Sequence, residues 1–305
     1  MPDVRRPAVA IAATPKRRRA ILDLAREVEQ RDFDGIYCAS VGDGLGLCLA
    51  LALSTERIPL GTAISNLYTR SAADFAQTTA LIQELAGGRF RFGVGVSHAP
   101  LLRHMGLSAG RPLADMRGFV EAWRATPRTG EQPPIVVAGL RKKMVALAGE
   151  IGDGLVFANA SRSHVSDSLA ALSGAALRSD DFFIGNMIPT CISPDEKAAA
   201  AVNRRTLQFY VTLPNYRNYW KEAGYVEEME AIEKAILAGE RDRIPELMSD
   251  AWLADCTLYG DGDRVLEGLA AWYEAGVKTP IIVPSSAEGN QIRAFQELFE
   301  LFDRA

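Results

Sequence analysis

The chain reads as an α/β protein built as a (β/α)8 TIM barrel, with a helical insertion late in the sequence and one domain over residues 1–305. Three observations carry that expectation. Apolar strand-like runs alternate with helix-like segments from end to end, and they number eight, as such a barrel needs. A length of 305 residues is ordinary for one barrel of this kind. Two consecutive strands, the third and the fourth, end in small or polar residues, which leave room for a ligand and can hold it. In α/β proteins that carboxyl edge is where ligands bind. A doubly wound open sheet remains the alternative, since a change of one or two in the strand count would admit it.

In chain order, Ala8-Val-Ala-Ile-Ala-Ala13 is a short apolar run, the mark of a strand buried on both faces. Residues 16–31 place Ile21, Leu24, Ala25 and Val28 at helical spacing among charges. Gly35–Ala39 is the second strand, residues 45–54 an Ala/Leu-rich helix, and 58–65 the third strand. The helix 72–85 is expected to turn Phe75, Leu81, Ile82 and Leu85 inward and to end at Gly87-Gly88. Phe90 to Val96 is the fourth strand, followed by a helix near 112–125 and a fifth strand, Pro133 to Ala138. The helix 141–150 leads to strand six, Gly154–Ala158, and a further helix leads to strand seven, Phe182 to Ile192. The insertion runs from Asp195 to about Leu253 and is mostly helical. A helix at 263–275, strand eight (Pro280 to Val283) and a terminal helix from Phe295 to Phe302 complete the count.

A net charge of −4 argues against a nucleic-acid partner, although Lys16-Arg-Arg-Arg19 and Arg141-Lys-Lys143 are locally basic. Cys38, Cys48, Cys191 and Cys256 are scattered without close pairs, which points to buried free thiols rather than a metal site or disulfide framework, and to a reducing cytoplasm. Arg5-Arg6 resembles an export signal, but the apolar run behind it is too short. No segment approaches the ~20 apolar residues of a membrane span.

Two glycine patterns, Gly42-Asp-Gly-Leu-Gly46 and Gly93-Val-Gly-Val-Ser97, fail the dinucleotide fingerprint, since neither completes its spacing between a first strand and its helix. Gly139-Leu-Arg-Lys-Lys143 is better placed, after strand five and at a helix start. Free N–H groups there attract anions, and cations at a helix amino end oppose the dipole, so an anionic ligand would relieve that conflict. A solvated basic first turn is the plainer reading. His98 lies just past strand four, where it could bond a ligand or transfer a proton, or simply bond loop backbone. His104 and His164 read as structural or exposed. No nucleophilic triad, metal-binding helix or carboxylate pair stands out, which favours chemistry carried by a bound cofactor. Leu213-Pro-Asn-Tyr-Arg-Asn-Tyr-Trp220 would line a substrate site, form a protein contact, or only pack.

Taken together, Gly61-Thr-Ala-Ile-Ser-Asn66, Arg70, Gly88 to Pro100, Pro133 to Gly139 and Leu147 to Gly154 resemble the luciferase-like flavin and deazaflavin oxidoreductases, over nearly the whole chain. The form Gly95-Val-Ser-His-Ala-Pro100, with Pro112 to Arg117 and Leu213 to Asn218, resembles actinobacterial branches that use coenzyme F420 more than the luciferases. The resemblance implies a deazaflavin across the carboxyl ends of the strands, backed by a non-proline cis peptide at Ala63-Ile64. By the same matching, Ser40, Ala63, Ile64, Ser65, Asn66, Gly95, Val96, Ser97 and His98 would surround the ring and its chain. Ala138, Gly139, Leu140, Arg141 and Lys142 would hold the phosphate, with Ala158 and Asn159 nearby. Relatives carry an acid and a catalytic histidine after strand two. Here that place reads Ala39-Ser-Val-Gly42, which leaves His98 as the candidate catalytic residue.

The expected activity is hydride transfer between coenzyme F420 and a small organic substrate, by a cytoplasmic homodimer with no membrane, nucleic-acid or metal partner. The alternatives are an FMN-dependent monooxygenase and a cofactor-binding homologue with little turnover.

Overall fold

The computed structural model describes residues 5–304 apart from Ala13 and Val41. The expected end of the first strand at Ala13 and part of the strand-two loop thus lie outside the described residues. The chain forms two compact units, one of Arg6–Phe157 with Leu169–Gly185, the other of Ala158–Ser168 with the residues from Asn186 onward.

The first unit is a run of parallel strands. They are β1 (Ala8–Ile11), β2 (Gly35–Ala39), β3 (Leu60–Ala63), the two-residue β4 (Ser65–Asn66), β5 (Phe90–Gly95), β6 (Ile135–Ala138) and β7 (Gly154–Ala158). Registers such as Ala8↔Gly35, Ile36↔Leu60, Leu60↔Phe90, Phe92↔Ile135 and Val136↔Gly154 tie neighbour to neighbour. β1 and β6 are almost wholly apolar and buried, as strands covered on both faces must be. Tyr37, Gly61 and Arg91 sit at one level across β2, β3 and β5. A Cβ on Gly61 would stand 3.0 Å from the Tyr37 ring, so the missing side chain is the space the tyrosine fills. Tyr37 also packs on Phe183 at 5.4 Å between ring centres.

The expected third strand, 58–65, is divided. β3 ends at Ala63, the Ala63–Ile64 peptide is cis, and β4 then pairs with β5 through Ser65↔Val94 and Asn66↔Gly95. The amino end of β3 is fixed by the buried Glu29 carboxylate, whose Oε1 accepts from the N–H groups of Glu56 (2.9 Å), Arg57 (2.8 Å) and Ile58 (2.9 Å). Arg89 donates to the carbonyls of Thr55 (3.0 Å) and Ile58 (2.7 Å) just past the helix Gly44–Ser54, a favourable place for a cation.

The helix Ala72–Leu85 starts at Ser71, whose hydroxyl accepts from Asp74 N–H. It ends before Gly87 and Gly88, both at positive φ, as expected. Its inward face departs from the apolar count. Phe75 and Ile82 are buried together with Ala76, Thr79, Ala80 and Gln83, but Leu81 and Leu85 are exposed. The reason is Trp123 of the helix Pro112–Arg124, whose indole N–H donates to the Thr79 hydroxyl at 3.1 Å and draws that face inward. A short helix, Ala99–His104, that the pattern did not suggest follows β5.

The second unit holds β8 (Phe183–Ile192) from Asn186 onward, β9 (Leu258–Gly260) and β10 (Thr279–Ser285). β9 pairs in parallel with β8, Thr190↔Leu258 to Ile192↔Gly260, and β10 also pairs with β8. The sequence reading placed no strand between the insertion and the helix 263–275, where Leu258–Gly260 stands. It is a strand of only three residues, and that helix starts at Gly262 under the Asp261 cap. Between β8 and β9 the insertion is helical, as expected, with Glu196–Gln208, Pro214–Glu222, Val226–Leu237 and Asp250–Cys256 as its main segments. All four cysteines are buried and free, two in each unit.

Candidate active site

In the first unit the expected ligand residues sit at the carboxyl ends of neighbouring strands. Ser40 follows β2 and is exposed, Ala63 is buried, and Ile64, Ser65 and Asn66 are half-buried. β5 comes close to this bulge because it lacks side chains there. A Cβ on Gly93 would overlap the Thr62 carbonyl, and the Thr62 hydroxyl donates to the Gly93 carbonyl at 2.6 Å. A Cβ on Gly95 would stand 2.9 Å from Ile64 Cδ1 and 3.0 Å from the Ala138 methyl. Ile64, Gly95 and Ala138 thus form one small apolar surface across β3–β4, β5 and β6. Asn66 closes the turn behind it, accepting from Tyr68 N–H through Oδ1 (3.0 Å) and from the Thr69 hydroxyl through its carbonyl (2.7 Å).

Beyond that surface, Val96, Ser97 and His98 leave β5 half-buried. Ser97 is at φ +56, a left-handed conformation uncommon outside glycine and one that collects at functional loops. The His98 carbonyl accepts the first bond of the helix Ala99–His104, from Leu102 N–H. Burial pulls the His98 imidazole below its ordinary range, so the ring is neutral at pH 7, with one nitrogen to donate and one to accept.

After β6, Gly139 and Leu140 are buried, while Arg141, Lys142 and Lys143 are exposed. Arg141 caps the helix Lys142–Ile151, whose first turn contains no acidic residue. An amino end with exposed cations and no internal acid is suited to an anion.

In the second unit, Ala158 is half-buried and Asn159 is buried at φ +55, with its carbonyl accepting from the Trp220 indole at 3.3 Å. The run Leu213 to Trp220 becomes the cap and body of the helix Pro214–Glu222 and is turned inward. Tyr216, Arg217, Tyr219 and Trp220 are all buried. Arg217 is held by Glu233 at 3.0 Å and by the Val211 carbonyl at 2.8 Å. Two residues of this region were not singled out from sequence, Asn186 and Tyr210. Asn186 had a visible signal, an amide inside an otherwise apolar ten-residue strand. His104 is exposed, whereas His164 is buried edge-on against Tyr219. Among the described residues no helix is long and apolar enough to cross a membrane.

Residues 4–279 match the model of the luciferase-like monooxygenases, and the chain belongs to that family. Its fold is the (β/α)8 barrel, shared with the coenzyme F420-dependent tetrahydromethanopterin reductase of Methanopyrus kandleri at a TM-score of 0.76 and 18% identity, over 96% of each chain. A Mycobacterium tuberculosis protein named as a coenzyme F420-dependent oxidoreductase is 26% identical, covering 87% of this chain and 91% of the relative. The FMN-bound oxygenating component of 3,6-diketocamphane monooxygenase from Pseudomonas putida has a TM-score of 0.64 and 16% identity, over 97% of this chain and 96% of that one.

Proposed function

We propose that this protein is a coenzyme F420-dependent oxidoreductase that passes hydride between the deazaflavin and a small organic substrate. The observation that carries this reading is the anion-seeking amino end of Lys142–Ile151, beside the apolar surface of Ile64, Gly95 and Ala138. A planar ring needs a flat apolar backing, and a phosphate with a carboxylate-rich tail is suited by a basic helix amino end whose first turn carries no acidic residue. The residues present fit both demands. The relatives named for F420 support the same choice.

When bound, the deazaflavin supplies the hydride. The chain's part is to hold and shield it. Ile64, Gly95 and Ala138 would back the ring, Ser65, Asn66 and Ser97 would offer it polar groups, and Arg141 with Lys142 would hold the phosphate. His98 holds a neutral imidazole that can donate or accept one proton at the substrate. Geometry of this kind works by positioning and by excluding water. The enzyme is expected to be a homodimer, as the family resemblance implies, in the reducing cytoplasm that its scattered free cysteines suggest.

The test is a fluorescence titration with coenzyme F420 and, separately, with FMN. F420 is expected to bind more tightly. Replacing Arg141 and Lys142 together by Ser should weaken it about tenfold, as for two charge-assisted contacts, and should flatten its salt dependence. Equal F420 affinity in the double variant removes these residues from the site. A preference for FMN favours the monooxygenase reading, which the FMN-bound neighbour supports.

A further inference from the structure

Between β5 and the helix Pro112–Arg124 the chain makes an excursion over residues 96–111 that leaves from and returns to one place. At its start, the Gly95 carbonyl accepts from the N–H of Leu67, just past β4, at 3.0 Å. At its end, the Tyr68 hydroxyl donates to Asp115 Oδ2 at 2.7 Å and accepts from Gly110 N–H. Gly110 lies so close to that carboxylate that a Cβ there would overlap Asp115 Oδ2. Two consecutive residues, Leu67 and Tyr68, therefore hold both ends of the excursion at the carboxyl edge of β4 and β5, beside Ile64 and Gly95.

The middle is held far less. The helix Ala99–His104 is bonded within the excursion, Leu102 N–H to the His98 carbonyl at 3.0 Å and Leu107 N–H to the Leu102 carbonyl at 2.8 Å. Leu102 is buried, whereas Leu101, Arg103, His104 and Met105 around it are exposed. Ser97 at φ +56 and Gly106 at φ +72 bracket this helix in left-handed conformations. A segment with so little buried side chain belongs to the part of a fold that opens most easily, and a few residues at its ends can absorb the rotation. His98 stands beside Ser97, half-buried, and burial is what lowers its ring.

We propose that the Tyr68–Asp115 hydrogen bond is the latch of a lid, residues 98–110, which turns about Ser97 to open and close over the surface of Ile64, Gly95 and Ala138, and that Tyr68 and Asp115 are positioning residues for His98. That the lid closes on a deazaflavin rests on the oxidoreductase reading above; the latch itself does not. Unlatched, such a lid admits a planar ring; latched, it keeps water from the ring and from His98.

The experiment uses the full chain without cofactor, the variants Tyr68→Phe, Asp115→Ala and Asp115→Asn, and two readouts. The first is an NMR titration of the three histidines. His98 should titrate higher in Tyr68→Phe and Asp115→Ala than in wild type, toward about 6.5 as water reaches the ring, while exposed His104 keeps its value. The second is trypsin cleavage after exposed Arg103, measured against cleavage after Arg128, which is exposed in a turn outside the lid. Both variants should be cut about fivefold faster at Arg103, the extra opening that loss of one hydrogen bond allows. Asp115→Asn keeps an acceptor oxygen for the Tyr68 hydroxyl and should return both readouts toward wild type. If one variant does not fold, the remaining ones decide. A folded Tyr68→Phe or Asp115→Ala with His98 and Arg103 as in wild type overturns the proposal, and so does a lower melting temperature unaccompanied by either change. Parallel F420 titrations separate the two readings. Wild-type protein that binds no F420, while Tyr68→Phe exposes His98 and Arg103, sinks the oxidoreductase and leaves the latch standing. Wild-type protein that binds F420, with Tyr68→Phe unchanged at His98 and Arg103, sinks the latch and leaves the oxidoreductase.

Discussion

At the scale of single residues, burial at His98 and hydrogen bonding at Glu29 both favour the deprotonated form, which leaves the first neutral and the second charged. Burial lowers His98, so its ring gains a proton only below the ordinary value of about 6.5. Under the proposed function, kcat/KM of the wild type should fall on an acid limb below that value, and His98→Gln should lose the limb. An unchanged profile in the variant would assign the limb to another group. For Glu29, burial alone would raise the carboxyl, but the N–H groups of Arg57, Ile58 and Glu56, helped by the Arg57 charge, outweigh it and hold it below 4.5. Its folded-state pKa is depressed, so its contribution is full above the unfolded value and is lost as pH falls through the folded one. Glu29→Gln should cost about 1–3 kcal/mol in urea unfolding at pH 7, and the gap to wild type should narrow at pH 3.

At the scale of elements, what the sequence revealed depended on whether local chemistry or distant packing decided the outcome. The bounds of Ala72–Leu85 were legible because Ser71 caps one end and Gly87-Gly88 stops the other. Its buried face was not, because Trp123 is thirty or more positions along the chain and selects Thr79 over Leu81. β9 was missed since three residues are too few to show a period. The cis bond at Ala63-Ile64 was read from family likeness alone, and no composition rule marks it. The closeness of β3 and β5 makes a prediction of its own. Gly93→Ala would drive a methyl into the Thr62 carbonyl and should cost about 3 kcal/mol, at the upper end for overpacking. A melting temperature equal to wild type would show that β3 can move aside.

At the scale of the whole molecule, the fold and the candidate site differ in how they are encoded. The alternation of strand and helix is written in every segment, so the barrel and its late helical insertion could be read from one end to the other. The candidate site depends on what is absent. Gly93 and Gly95 admit the bulge of β3, and the acid and histidine expected after β2 are replaced by Ala39 and Ser40. A single sequence shows such omissions only beside a family pattern. The buried run Tyr216 to Trp220 lies in one unit, and the basic amino end of Lys142–Ile151 lies in the other.

The four cysteines have a practical consequence. Cys38 and Cys48 belong to the first unit and Cys191 and Cys256 to the second, all buried, and burial pushes the thiols of Cys48, Cys191 and Cys256 up. Buried protonated thiols react poorly with alkylating agents. Iodoacetamide should therefore leave the native protein unmodified and mark each pair only when its own unit opens. Mass spectrometry across a urea series would then time the two halves separately, with no added label. Simultaneous modification of all four would mean the halves unfold as one, and modification in native buffer would show that a unit breathes open unaided.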